Sequence, residues 1–357
     1  MLSNWLKPAT DHNTGTGGFF NNIPAYHDNP EALQRAKLAF IGVRQNQADA
    51  IRRELDKLAP AQAPMIDLGN LIQAKPNFAV QLFGLLLQNR IVPILFGAAE
   101  NFISALYHAY QLNEKMVSLT IADRRIRFNA KTSDDTAYLN KLLNPLHPNL
   151  FHLSIIGTQS HLNSPHLFDI LHENDFDILP LAGIRHDISE AEPIIRDADL
   201  FVLNTDVLHY ADYPAQTEPY PLGISAHQAC TLARYAGMSD KLSAFGLFGS
   251  DPAADTTTVA PRTAALIIHY FIHGFISRQK DFPASKSNLK KYVVMHNNHQ
   301  LAFWKSRKTG RWWIEIPVIK PGRPPRHALM PCSHKDYLAA TKGNLPDRLI
   351  KGLIRFS

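Results

Sequence analysis

Two aspartates stand at points where an apolar run stops, and a carboxylate in that position can do chemistry. Residues 200–203 (Leu200, Phe201, Val202, Leu203) run straight into Asn204, Thr205 and Asp206, and the apolar residues 117–122 end at Asp123. A short continuous apolar run is the sequence form of a buried parallel strand. In open α/β sheets, ligands bind just beyond the carboxyl ends of such strands. Asp206 is therefore expected at the centre of any chemical site. Other candidates carry less. His269 and His273 lie four apart on a helical stretch, a spacing that suits a zinc pair, but the Glu and third ligand of a metalloprotease are missing and a structural role is expected. His161, His166 and His172 have no carboxylate or cysteine partners at ligand spacing and read as loop and surface residues. There is no G-x-S-x-G elbow and no P-loop, and the Gly-rich residues 14–18 follow no strand.

The elements that must position these acids alternate between strand and helix. Strands are expected over residues 37–43, 91–96, 117–122, 150–156, 178–182, 200–203 and 242–248. Helices are expected over 46–58, 78–89, 101–112, 166–173, 188–197, 225–236 and 257–277. That alternation argues for one α/β domain, a parallel sheet with helices on both faces, spanning residues 37–277 after an N-terminal loop segment, 1–36. After residue 278 the texture changes. Residues 291–296, 300–305 and 311–318 read as a meander of two or three antiparallel strands, 320–326 as an extended basic linker, and 335–341 and 346–354 as short closing helices.

The chain of 357 residues is 45% hydrophobic, enough for a large core. Its net charge of +6 is concentrated: residues 278–326 hold twelve Lys and Arg against Asp281 and Glu315, a local +10 that leaves −4 for the rest. The extension interleaves this charge with Tyr292, Phe303, Trp304, Trp312 and Trp313. Such a mixture can bind a polyanion, but packing of the aromatics beneath solvated lysines is favoured, and nucleic acid is not expected as a partner. Alternation over 311–316 expects Trp312, Ile314 and Ile316 on a docking face and Trp313 and Glu315 outward, where they would form an interaction patch if exposed. Two cysteines, Cys230 and Cys332, fit free thiols in a reducing compartment. With no signal peptide visible and apolar runs short of a membrane span, the expectation is a cytoplasmic protein without membrane partners.

The order of strand-end motifs resembles the ureohydrolase superfamily (arginase, agmatinase and formimidoylglutamase), above all a divergent formimidoylglutamase-like branch. VPILFGAAEN (92–101) looks like the family's GGDHS motif, LTIADRRIR (119–127) like DAHxD, and LNTDVL (203–208) like SxDxD; FGLFGSDPAAD (245–255) is similar to the closing strand, with Asp255 in place. The resemblance implies a three-layer arginase-like α/β fold and a site for two Mn²⁺ ions used in amidine hydrolysis. Residue by residue, that site is degenerate. The family's first ligand histidine falls on Glu100, the histidine and second aspartate of the second motif on Arg125 and Arg127, the partner of Asp206 on Leu208, and the substrate-holding glutamate on Gly249.

Glu100, Asp123 and Asp206 are thus the remaining candidate ligands. Arginine offers no lone pair to a metal, so Arg125 or Arg127 is expected to fill the site by pairing with those acids. The leading expectation is a pseudoenzyme without a cofactor, acting by binding a small-molecule ligand or a protein partner, with homo-oligomers possible for the family. The alternative is a Mn²⁺-dependent amidino or formimino hydrolase of the formimidoylglutamase or arginase type, with Glu100, Asp123 and Asp206 as both ligands and catalytic groups. A third is a polyanion-binding module built on the basic extension.

Overall fold

A computed structural model describes residues 2–10, 18–128, 137–143, 149–216, 218–249, 255–281, 286–297, 299–318 and 326–356. The main sheet has nine strands: β1 (Leu6–Lys7), β2 (Leu38–Gly42), β3 (Met65–Leu71), β4 (Val92–Ala98), β5 (Val117–Ala122), β6 (Leu150–Thr158), β7 (Asp177–Pro180), β8 (Leu200–Asn204) and β9 (Ala244–Phe248). Their order is β1-β3-β2-β4-β9-β8-β5-β6-β7, and every pairing is parallel except the short antiparallel edge β1–β3. The helices are α1 (Gln45–Asp56), α2 (Pro76–Gln88), α3 (Phe102–Leu112), α4 (Tyr138–Leu142), α5 (Pro165–Glu173), α6 (Leu181–His186), α7 (Ala191–Arg196), α8 (Ala226–Met238) and α9 (Val259–Ile276). They cover both faces, so strands such as β8 are buried throughout: Phe201 and Leu203 enter one core, Leu200 and Val202 the other. This is the three-layer arginase-like α/β fold.

Helix α9 is long and apolar enough to cross a membrane by length and composition, but it packs on α8 and α1 and over half of it is buried within the protein. Strand β3, absent from the sequence reading, carries Asp67, Gly69 and Asn70 inside its apolar run. All seven of its residues are buried because Arg52 of α1 supplies the missing partners: Asp67 at 2.9 and 3.0 Å, Asn70 Oδ1 at 2.6 Å and the Gly69 carbonyl at 2.8 Å. Residues 178–182, expected as one strand, divide between β7 and the first turn of α6.

The C-terminal unit is a four-stranded antiparallel meander, β10 (Leu289–His296), β11 (His299–Ser306), β12 (Trp312–Val318) and β13 (Arg326–Cys332), followed by α10 (His334–Thr341) and α11 (Asp347–Phe356). The fourth strand exceeds the two or three expected, and residues 320–325 of the supposed linker lie outside the described residues. Burial also corrects the tryptophan assignment. Trp312, Ile314 and Ile316 face the unit's own helices, in a core with Ala340 and Leu349. Trp313, expected outward, is the residue that docks: it is 2% exposed, and the Arg196 guanidinium of α7 lies 4.5 Å over its ring. Arg196 Nη2 also donates to the carbonyls of Trp312 (3.1 Å) and Cys332 (3.2 Å). Neither tryptophan offers an exposed interaction patch. Helix α11 grips the main sheet at the amino ends of its strands, Lys351 on Asp177 (2.5 Å) and Arg355 on Asp197 (2.6 Å).

Because Trp313 fills this seam, Trp313→Ala is expected to cost about 3–5 kcal/mol of stability. Urea unfolding monitored by far-UV circular dichroism measures it; a loss near zero would mean the ring is not packed as described.

Candidate functional site

The site forms at the carboxyl ends of β4, β5 and β8, on either side of the place where the strand order reverses, as expected for a ligand crevice in an open sheet. Strand β5 ends at Ala122, and Asp123, the next residue, is wholly buried. The chain then turns back on itself. Asp123 Oδ1 accepts from the Arg125 amide (3.0 Å), and Asn163 braces the loop by accepting from the Ile126 amide (2.6 Å) while donating to the carbonyls of Arg124 (3.1 Å) and Gln159 (2.8 Å). That brace returns Arg127 towards the strand ends. Strand β8 ends at Asn204, whose Oδ1 accepts from the Asp206 amide (3.1 Å), starting a single 3-10 turn that directs Asp206 inward. Glu100 follows β4 and supplies the third carboxylate.

All three acids converge on one guanidinium. Arg127 Nε donates to Asp123 Oδ2 at 2.8 Å, and its Nη2 lies 2.9 Å from Asp206 Oδ2 and 3.1 Å from Glu100 Oε1. Asn204 Nδ2 donates to Asp123 Oδ2 (2.9 Å) and approaches Glu100 Oε1 (3.5 Å), and the Tyr138 hydroxyl lies 3.5 Å from Asp123. Burial pulls the Arg127 guanidinium down, but Asp123 and then Glu100 reverse this and raise it, so it stays charged. Burial pushes the Asp206 carboxyl up, and Arg127 only partly offsets that. Burial, then Asp123, raises the Tyr138 phenol well above its ordinary range, so it remains a neutral donor.

Arg125, the other residue expected to fill the site, turns away to Glu218 (2.7 Å) and is half-exposed. The inner second cation is Arg124, which the sequence reading passed over. It is 2% exposed, with Nη2 3.9 Å from Asp206 Oδ2 and bonded to the Glu218 carbonyl (3.1 Å), and its guanidinium lies 5.2 Å over the Tyr220 ring. Gly249, at the end of β9, has φ +133° and its missing Cβ would collide with Thr205 Oγ1, so no glutamate could extend from that position. The histidines behave as expected: His161, His166 and His172 are exposed, and His269 is tied to the Ala59 carbonyl (3.1 Å).

Among the described residues, this donor set falls short of what a pair of divalent ions requires. A pair of such ions needs about six lone-pair ligands. Here the inner oxygens of Glu100, Asp123 and Asp206 all accept from Arg127. Among the described residues, no group of three or more His, Cys, Asp or Glu is placed to hold a metal ion. The arrangement is instead a carboxylate cage around a tethered cation. Two atoms in it, Asp206 Oδ1 and Thr205 Oγ1, are buried with no hydrogen-bond partner among the described residues.

Comparison with known proteins agrees with this topology. No family model matches the chain. It is 24% identical over 251 residues to a formimidoylglutamase of Staphylococcus carnosus, a match covering 64% of this chain and 79% of that protein. The structure of a Bacillus subtilis formimidoylglutamase superposes with a TM-score of 0.64 at 17% identity, over 78% of this chain and 98% of that one. A Trypanosoma cruzi formiminoglutamase solved with Mn²⁺ gives 0.62 at 16%, over 68% and 94%.

Two outcomes follow for the cage. Arg127→Met leaves buried carboxylates unpaired and is expected to cost about 3–5 kcal/mol at neutral pH. Adding Asp206→Asn should restore part of that loss, which a double-mutant cycle by urea unfolding would read. Asp206 on its own has a raised folded-state pKa, so its stabilising contribution is complete below about pH 4 and is lost as the pH climbs through that raised value. Asp206→Asn should therefore gain stability relative to the parent chain as the pH rises from about 3 to about 7; a relative loss over that range would contradict the burial of Asp206.

Proposed function

Because the chain is a formimidoylglutamase-like protein with the arginase-superfamily fold, we propose that its cleft no longer hydrolyses amidines and that the protein works as a pseudoenzyme, through a bound ligand or protein partner. The observation that carries this reading is the threefold engagement of Arg127 with Glu100, Asp123 and Asp206. The guanidinium supplies, on a tether, the positive charge that buried carboxylates require. A resident arginine cannot do what a bound cation does for hydrolysis: it does not lose a proton near neutral pH and it generates no hydroxide nucleophile. In this reading the strand ends keep buried polar groups, Arg124, Asp206 and Thr205, with Asp206 Oδ1 and Thr205 Oγ1 open to a ligand's donors, and lack the nucleophile for cleavage.

The test is metal retention together with turnover. After dialysis from excess Mn²⁺, elemental analysis is expected to find no stoichiometric metal, and formimidoylglutamate, arginine and agmatine should be left intact. One or two equivalents retained by the parent chain and lost in Asp206→Asn, with hydrolysis of any of these compounds, would overturn the pseudoenzyme and establish Glu100, Asp123 and Asp206 as ligands of a working hydrolase.

A further inference from the structure

A second charged site lies far from the cage, at the seam between the main sheet's helices and the C-terminal unit. An open groove of about 430 Å³ runs there, lined by Glu192 and Arg196 of α7, Tyr235 of α8, Lys305 of β11, Arg311 just before β12, and His334 of α10. Its charges are unbalanced. A single oxygen, Glu192 Oε1, lies 3.0 Å from Arg196 Nε and 3.2 Å from Arg311 Nε, so two guanidiniums draw on one carboxylate. The Arg196 side chain is 6% exposed; its Nη2 is spent on backbone carbonyls, and Nη1 has no hydrogen-bond partner among the described residues. The Lys305 ammonium rests 5.3 Å over the Trp312 ring. Burial, opposed by Glu192, Asp281 and Asp240 and aided by Arg196, holds the Arg311 guanidinium below its usual range, while its Nη1 donates to the Met238 carbonyl (3.3 Å).

We propose that this groove is a binding site for a small organic phosphate, with the phosphate lying between Arg311 and Lys305. Arg311 and Lys305 would each donate to the phosphate oxygens, and the dianion would add a second acceptor beside Glu192, the one carboxylate among the groove's lining residues. The volume exceeds that of the oxyanion and falls within the range of small-molecule pockets, leaving room for an organic group against Pro193 and Tyr235. Lys335, which also lines the groove, is already committed to Asp187 (2.5 Å) and Glu190 (2.8 Å) and contributes little.

Isothermal titration of the full chain with inorganic phosphate and with adenosine monophosphate, at ionic strength held constant with sodium chloride, tests this. Saturable one-site binding is expected, tighter for the nucleotide. It should weaken at least about tenfold in Arg311→Gln and in Lys305→Gln, and stay unchanged in Lys115→Gln, whose exposed side chain lies after α3. Lys305 is only half-buried, so its variant keeps the test open should Arg311→Gln misfold. Absence of saturable heat with both probes, or equal affinity in the parent chain and Lys305→Gln, would refute the site.

Discussion

The cleft depends on one ion-pair centre, the Arg127 guanidinium held among Glu100, Asp123 and Asp206, with Arg124 behind Asp206. Three acids delivered to one place by separate strands would repel one another, and the cost of burying them would fall on the whole sheet. One arginine in the loop after β5 offsets part of that cost while staying charged itself. The loop that carries it has little freedom, because Asn163 fastens its backbone from the start of the next helical segment. The sheet reversal, the β8 terminus and the Asn163 brace thus serve one ion-pair geometry.

The same device appears elsewhere in the fold. Arg52 lets β3 bury Asp67 and Asn70, and Arg196 lets the C-terminal meander bury Trp313 against α7. In each case a planar guanidinium with several donors joins elements that otherwise bring unpaired polar groups to an interior surface. Differences in pairing separate the three by role. Arg52 is satisfied by carboxylate, amide and carbonyl partners and is structural. Arg127 pairs with three acids, and Asp206 Oδ1 beside it has no hydrogen-bond partner among the described residues. Arg196 shares its one carboxylate with Arg311. Function is more readily sought at the second and third than at the first.

Much of the main sheet was legible because its strands are buried on both faces and read as apolar runs; residues 117–122 coincide with β5, and 200–203 fall within β8. Strand β3 was not legible, since Asp67, Gly69 and Asn70 break its apolar run and the partner that allows their burial lies in α1. The site was read in part. Asp123, Asp206, Glu100 and Arg127 were assembled from motif order, but nothing in RRIR distinguishes the arginine that turns inward from the one that pairs with Glu218, and Arg124 was missed altogether. Asn204 was visible beside Asp206, yet its bridging of Asp123 and Glu100 belongs to the fold. Trp313 was misplaced for a related reason: alternation assigns a side chain to a face of the sheet, and it cannot tell which face another element covers.

The most direct measurement is a crystal structure of the protein grown in excess Mn²⁺, with anomalous diffraction collected at the manganese edge. The account predicts the Arg127 guanidinium in density between Glu100, Asp123 and Asp206, with no anomalous peak in the cleft. An anomalous peak bonded to Asp123 and Asp206, with Arg127 swung out towards solvent, would contradict it.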